Sequence, residues 1–200
     1  MNFERSPASL AILGVILIVS ALALWVAPGI KERNLLRPYW LLRKRQYDTI
    51  ITSGFIHGDF VHLLFNSLAL FSFGPGLEQR IGTAKFVALY FIGLVLSSLG
   101  TVYKQRNNPD YAALGASGAI LAVVFAYVVY YPMNTIFLYF IPMPAVVFAF
   151  VFAAYSVWAS KSRHDNIAHD AHLDGALVGL IFVGLTDFPA WKRAFGMFLG

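Results

Sequence analysis

An all-α polytopic membrane protein, with six transmembrane helices bundled in a single domain over residues 1–200, is the fold class this sequence predicts. Three observations predict it. Hydrophobic residues fill 58% of the 200 positions and charged residues only 12%, about half the charged share of a soluble domain. The apolar runs are long enough to cross about 30 Å of hydrocarbon, which takes roughly 20 helical residues. No polar stretch is long enough to fold as a separate soluble domain. The net charge of +5 lies in loops and termini, where it suits anionic headgroups, and no basic run alternates with aromatics as a nucleic-acid surface would. The chain has no cysteine, which excludes disulfide and thiolate chemistry.

Helix 1 is expected over residues 8–27, an apolar run without a charge. Arg5 ahead of it and Ala21-Leu22-Ala23 within it offer a cleaved signal peptide as the competing reading. The run is long for an h-region of about 7–15 residues, which favours a span. Residues 29–53 interleave Lys31, Arg33, Arg37, Arg43, Lys44 and Arg45 with Leu35, Leu36, Tyr39, Trp40, Leu41 and Leu42. That mixture suits a segment lying in the membrane interface, with a solvated loop as the alternative.

Helix 2 is expected over residues 57–74, ended by a turn at Gly74-Pro75-Gly76. Helix 3 covers residues 83–103, and a polar loop at 104–110 contains the breaker Asn108-Pro109-Asp110. Helix 4 runs over 115–131 to Pro132, and an uncharged loop follows through Pro142 and Pro144. Helix 5 is placed at 145–159, a polar loop at 161–166, helix 6 at 167–186, and a basic tail carries Lys192 and Arg193. His164 and Asp165 read as part of the solvated loop.

Six spans make helices 2, 4 and 6 parallel, so the polar residues near their starts share a depth. His62, Ser117 and His172 all fall within about 10 Å of one surface at 1.5 Å per residue. Polar side chains inside a bilayer are expensive and mark function by default. Ser117 sits in Gly115-Ala116-Ser117-Gly118, which is a packing motif or a nucleophile awaiting a base. His62 and Asn66 are four apart and share a helix face; the bland reading is a hydrogen-bonded bridge between helices. His57 stands at the boundary as a helix-start residue. His169 and His172 lie near one face, while Asp170 and Asp174 flank His172 off its face, so neither completes a triad. Gly175 and Gly179 form a Gly-xxx-Gly pair that lets helix 6 approach helix 4 at Gly115 and Gly118. A serine and a histidine on different helices need that approach to come within about 3 Å.

These residues resemble the rhomboid family of intramembrane serine proteases. The matching pieces are His57-x4-His62-x3-Asn66, Gly74-x3-Glu78-x3-Gly82, Gly115-Ala116-Ser117-Gly118 and Ala171-His172-x2-Gly175-x3-Gly179, in the family's order. The resemblance implies a catalytic dyad, with Ser117 as nucleophile and His172 as general base and later acid. It implies that Asn66 and His62 stabilise the oxyanion together with the Ser117 N–H, and that Glu78 and Arg80 fix the loops beside helix 2. It implies no cofactor and no metal. The implied partners are transmembrane-helix protein substrates and the lipid bilayer. Two positions depart from the family's pattern: Asp48-Thr49 replaces the Trp-Arg of the first loop, and Leu121 replaces an aromatic four after the serine. The first bears on the docking of that loop, the second on the orientation of His172.

Three rivals are weighed beside this reading. A catalytically silent rhomboid-like protein that binds and escorts membrane helices would be expected to lack the serine or the histidine, and both are present. A metal site on His57, His62, His169 and His172 lacks a His-Glu-x-x-His signature and an acidic ligand on the same faces. A transporter would show paired halves or broken helices. The resemblance also implies a bacterial-type cell membrane with the active site opening to the extracytoplasmic side. The Lys/Arg count runs against that orientation, with ten in the first, third and fifth loops and five on the other side.

Overall fold

The computed structural model describes residues 5–138, 141–151, 154 and 169–199. Helix α1 (Pro7–Ala21) runs on through a π-helical turn, Leu22–Val26, so that 20 residues form one apolar rod. Pro7 opens it, where a missing N–H removes no helical hydrogen bond. Three short helices follow, α2 (Gly29–Asn34), α3 (Pro38–Arg43) and α4 (Thr49–Thr52), closed by a 3-10 turn at Ser53–Phe55. The long helices α5 (Phe60–Ile81) and α6 (Thr83–Gln105) come next, then α7 (Ser117–Tyr130). Strands β1 (Thr135–Leu138) and β2 (Ile141–Pro144) pair antiparallel, with Thr135 opposite Pro144. Residues 145–151 are helical (α8), and α9 (His169–Thr186) and α10 (Phe188–Leu199) complete the described chain.

Helix α7 is the centre of the bundle. Of its 14 residues, 11 are buried, so it is surrounded by protein and has no need to match the bilayer's thickness. Its length of about 21 Å falls short of the hydrocarbon, which a lipid-facing helix could not tolerate as easily. It packs against α9 most extensively, then α6 and α5. The outer helices are apolar on their exposed faces as well, with Val15, Ile18, Leu68, Leu96 and Ile181 all exposed. That is the surface lipid requires.

Three helices, Pro7–Val26, Phe60–Ile81 and Thr83–Gln105, are long and apolar enough to cross a membrane, and α9 reaches that length only if it is counted together with α10, from which a 112° bend separates it. The expected count of six is therefore not established among the described residues. Part of the expected helix 5 (152, 153 and 155–159), the loop at 161–166 with His164 and Asp165, and the first residues of helix 6 lie outside them.

Several expectations are corrected. The turn expected at Gly74-Pro75-Gly76 is helix, and the chain reverses only at Gly82, whose φ of +84° ends α5. Breaking a helix in lipid strands several backbone groups, whereas an internal proline removes one donor. The two glycines serve packing: a Cβ on Gly74 would touch Ser9 of α1, and one on Gly76 would touch Tyr127 of α7. The segment 29–53, expected in the interface, folds into the short helices α2, α3 and α4, with Leu36 and Leu41 buried and α3 and α4 packed on α6. The uncharged loop after helix 4 forms the β1–β2 hairpin, and the basic tail is helix α10.

Candidate active site at the N-terminal ends of α5, α7 and α9

The helix ends carrying His62, Ser117 and Ala171-His172 come together. Gly115 has φ +113°, a conformation that disfavours any side chain. A Cβ there would also stand 2.6 Å from Cε1 and 2.9 Å from Nε2 of His62. The glycine thus lets the segment entering α7 lie directly against the His62 imidazole. Two residues later, Ser117 begins α7 with no side-chain cap. The N–H groups of its first turn, Ser117 included, have no acceptor within the helix.

Helix α9 is seated on α7 through glycine. A Cβ on Gly175 would collide with the carbonyl oxygen of Gly118, and one on Gly179 with that of Ala122. The Ala171 carbonyl also approaches Gly118. His172 is half-buried. It follows Ala171 directly and lies about 60° round the helix from Gly175. Of the two acidic residues beside it, Asp174 faces α6, where its carboxylate is 3.3 Å from Lys104 Nζ. The side chains of His169 and Asp170 lie outside the described residues.

A cleft of about 30 Å³ opens beside Ser117, room for roughly two water molecules. Ser53, Ser97, Ser98, Thr101, Gly115, Gly118 and Ala171 line it. The sequence reading missed this hydroxyl-rich wall. Its signal was present: Ser97 and Thr101 are four apart in an apolar helix, and the Thr101 hydroxyl donates to the Ser97 carbonyl at 3.2 Å. Ser97 faces Gly118, where any larger residue would strike its hydroxyl.

Asn66 is buried, and its amide donates one hydrogen to the His62 carbonyl at 3.0 Å, which leaves a second N–H for another acceptor. Asp59 caps α5 by accepting the His62 N–H at 2.8 Å. His57, expected as a helix-start residue, is a fully buried tie between α1 and the loop. Ser20 Oγ lies 3.1 Å from the Phe55 carbonyl and 3.0 Å from His57 Nδ1. A hydroxyl that donates to the carbonyl can only accept from the ring, so Nδ1 carries the hydrogen. Burial first, then His62, pushes His57 down to about 3 against the opposing pull of Asp59, so the ring is neutral at physiological pH. Its edge-to-face contact with His62 has ring centroids 4.9 Å apart.

The first loop docks on the segment that leads into α7. Leu36 and Ala113 exchange two backbone hydrogen bonds of 3.0 Å, the Gly115 N–H donates to the Ser53 carbonyl, and Trp40 Nε1 donates to the Pro109 carbonyl. Asp48, at the first departure, pairs with Arg33 at 2.7 Å, and Thr49 donates to Gln46. Leu121, at the second departure, is buried in the core around α7. Glu78 and Arg80 stand at the far end of α5. Glu78 accepts from the N–H groups of Ala8 and Ser9 and from Thr83 Oγ1, and Arg80 lies over the Tyr130 ring.

Apolar spans packed around a short central helix, with a hydroxyl-lined cleft at one end, define a helical integral membrane protein with a polar site sunk in its bundle. The chain belongs to the rhomboid family: the model of the rhomboid domain matches residues 44–187. It is similar to Rhomboid protein 1, mitochondrial, of Saccharomyces cerevisiae, 31% identical over 191 residues, covering 90% of this chain and 54% of that one. The rhomboid YdcA of Bacillus subtilis is 38% identical over 78 residues, 39% of this chain and 38% of that one. Presenilin-associated rhomboid-like protein, mitochondrial, of Homo sapiens is 28% identical over 190 residues, 88% of this chain and 48% of that one. The chain spans about half the length of the yeast and human relatives. The yeast and human relatives carry "mitochondrial" in their names, so the expected bacterial-type cell membrane draws no support from them. Residence in a membrane stands.

Proposed function

We propose that this chain is an intramembrane serine endopeptidase in which Ser117 is the nucleophile and His172 the general base. The observation that carries the reading is the glycine-to-backbone seating of α9 on α7. It brings Ser117 and the residue before His172 to the wall of one cleft. A serine hydroxyl is a poor nucleophile until a base removes its proton. In the proposed reaction His172 takes that proton as Ser117 Oγ attacks the scissile carbonyl, then returns it to the leaving amine. Water, activated by the same imidazole, releases the acyl group.

The oxyanion would be met by the Ser117 N–H at the head of α7, the spare amide hydrogen of Asn66 and a ring N–H of His62. Each such donor in a water-poor site is worth about 3 kcal/mol of transition-state stabilisation. Gly115 supports this placement by letting His62 lie beside the turn that carries the serine.

A cleft of about 30 Å³ cannot admit a helix about 10 Å across, so the substrate must present an unwound segment. Unpairing its amides within hydrocarbon costs several kcal/mol. The scissile bond is therefore placed near the membrane face of a single-pass helix, where Gly, Ala, Ser or Pro loosens the turn.

The test is cleavage of a fluorescent single-pass helix in liposomes by the native chain, Ser117→Ala and His172→Ala, each with and without chelator. Both substitutions should lower the rate by at least about 10³-fold, and chelator should change nothing. Cleavage that survives Ser117→Ala overturns the proposal.

A further inference from the structure

We infer that the end of the bundle opposite the cleft holds the headgroup of an anionic phospholipid, gripped by Arg80, Lys192 and Arg193. The C-terminal ends of α5, α7 and α9 meet there. The Arg80 guanidinium lies 5.2 Å from the Tyr130 ring centroid, and Tyr130 stands beside Asp187 in the corner between α9 and α10. Arg193 Nη2 stands 4.0 Å from the same carboxylate. Two guanidinium groups therefore flank one tyrosine at one corner of the molecule.

Helix α10 leaves α9 at 112°, so it crosses the bundle end instead of prolonging the span. Its inner side is pinned by buried Ala190 and by Trp191, whose indole donates to the Leu180 carbonyl at 3.0 Å. Its outer side presents Phe188, 60% exposed, with Lys192 Nζ 5.7 Å from that ring. An apolar ring beside cations on an interfacial helix is the pattern that enters the headgroup layer. Tyr127, Tyr130, Tyr131 and Trp191 cluster at the same end, and such aromatics mark headgroup depth.

The plainer account is that these cations only offset helix C-terminal dipoles and Asp187. It explains less of the arrangement. Among the described residues Arg80 pairs with no carboxylate, and the Arg193–Asp187 separation is at the outer limit of an ion pair. All three cationic side chains are exposed. Guanidinium forks so disposed match phosphate oxygens. The occupant is a lipid phosphodiester because the site lies where apolar spans end, at the depth of the headgroups.

The experiment is native mass spectrometry of the full chain, delipidated in detergent and titrated with phosphatidylglycerol or phosphatidylcholine. The native chain should retain phosphatidylglycerol preferentially. Arg80→Gln/Arg193→Gln should weaken that retention roughly 30-fold, while Arg43→Gln/Lys44→Gln, in the first loop, should leave it unchanged. Lys192→Gln, outside the helix packing, should give a partial loss and keeps the proposal testable if the double variant does not fold. Equal retention by the native chain and the folded variants overturns it. So does equal retention of the two lipids, or displacement of phosphatidylglycerol by inorganic phosphate.

Discussion

At the scale of single residues, the site is assembled by what is missing from side chains. Gly118, Gly175 and Gly179 let two helices meet backbone to backbone, and Gly115 lets an imidazole lie against the main chain. The obstacle at Gly175 is the carbonyl of a central helix, which cannot swing aside as a leucine tip can. Gly175→Ala should therefore destabilise the fold by about 1–3 kcal/mol, the range for overpacking, with the proposed proteolysis falling alongside. Gly14→Ala is the matched control, because a Cβ on Gly14 would meet nothing within 4 Å; it should be neutral or slightly stabilising. Reversible unfolding in mixed micelles measures both. Equal stability of native chain and Gly175→Ala would mean that α9 has room to slide on α7. The Gly-xxx-Gly spacing was legible in the sequence. The partner carbonyls were not, since main-chain atoms are the same under every residue.

Among elements, the junction of α1 with the α5–α6 corner shows how one helix supplies what another lacks. The first turn of α1 has N–H groups without helical acceptors. Glu78, 1% exposed, reaches across to accept two of them while also holding Thr83 Oγ1. Ser6 Oγ adds a bond to the Pro75 carbonyl at 3.2 Å. This explains why α5 continues through Pro75: only an unbroken helix carries Glu78 to the start of α1. The Gly-Pro-Gly turn signal was local and correct about the residues, and tertiary packing overrode it. Glu78→Ala should strand those donors and cost about 3 kcal/mol or more. The same unfolding assay reads it, and a change within experimental error would show that α1 is held by its apolar face alone. The first loop follows the same logic: its composition predicted an interface, while its docking rests on backbone bonds of Leu36 to Ala113 and Ser53 to Gly115, which composition does not encode.

For the whole molecule, the order of the motifs and the convergence of His62, Ser117 and the start of α9 were readable because membrane spans impose direction. Parallel helices bring like ends to one face, so a residue's distance from its helix start becomes a depth. Helix α10 escaped because its 12 residues are too few to register as a span, and its amphipathic side has meaning only at a bundle end. The same geometry fixes a sidedness that needs no knowledge of compartment. Arg5 and Arg193 belong to one end of the bundle, Arg43 and Lys104 to the other. Because the chain has no cysteine, single substitutions at these four positions can be labelled with an impermeant maleimide in oriented vesicles without background. Arg5→Cys and Arg193→Cys should react from one side, and Arg43→Cys and Lys104→Cys from the other. Labelling of Arg43→Cys from the same side as Arg193→Cys would break the parallel arrangement of α5, α7 and α9. It would separate Ser117 from His62 in depth, and the proposed oxyanion site would lose its physical basis.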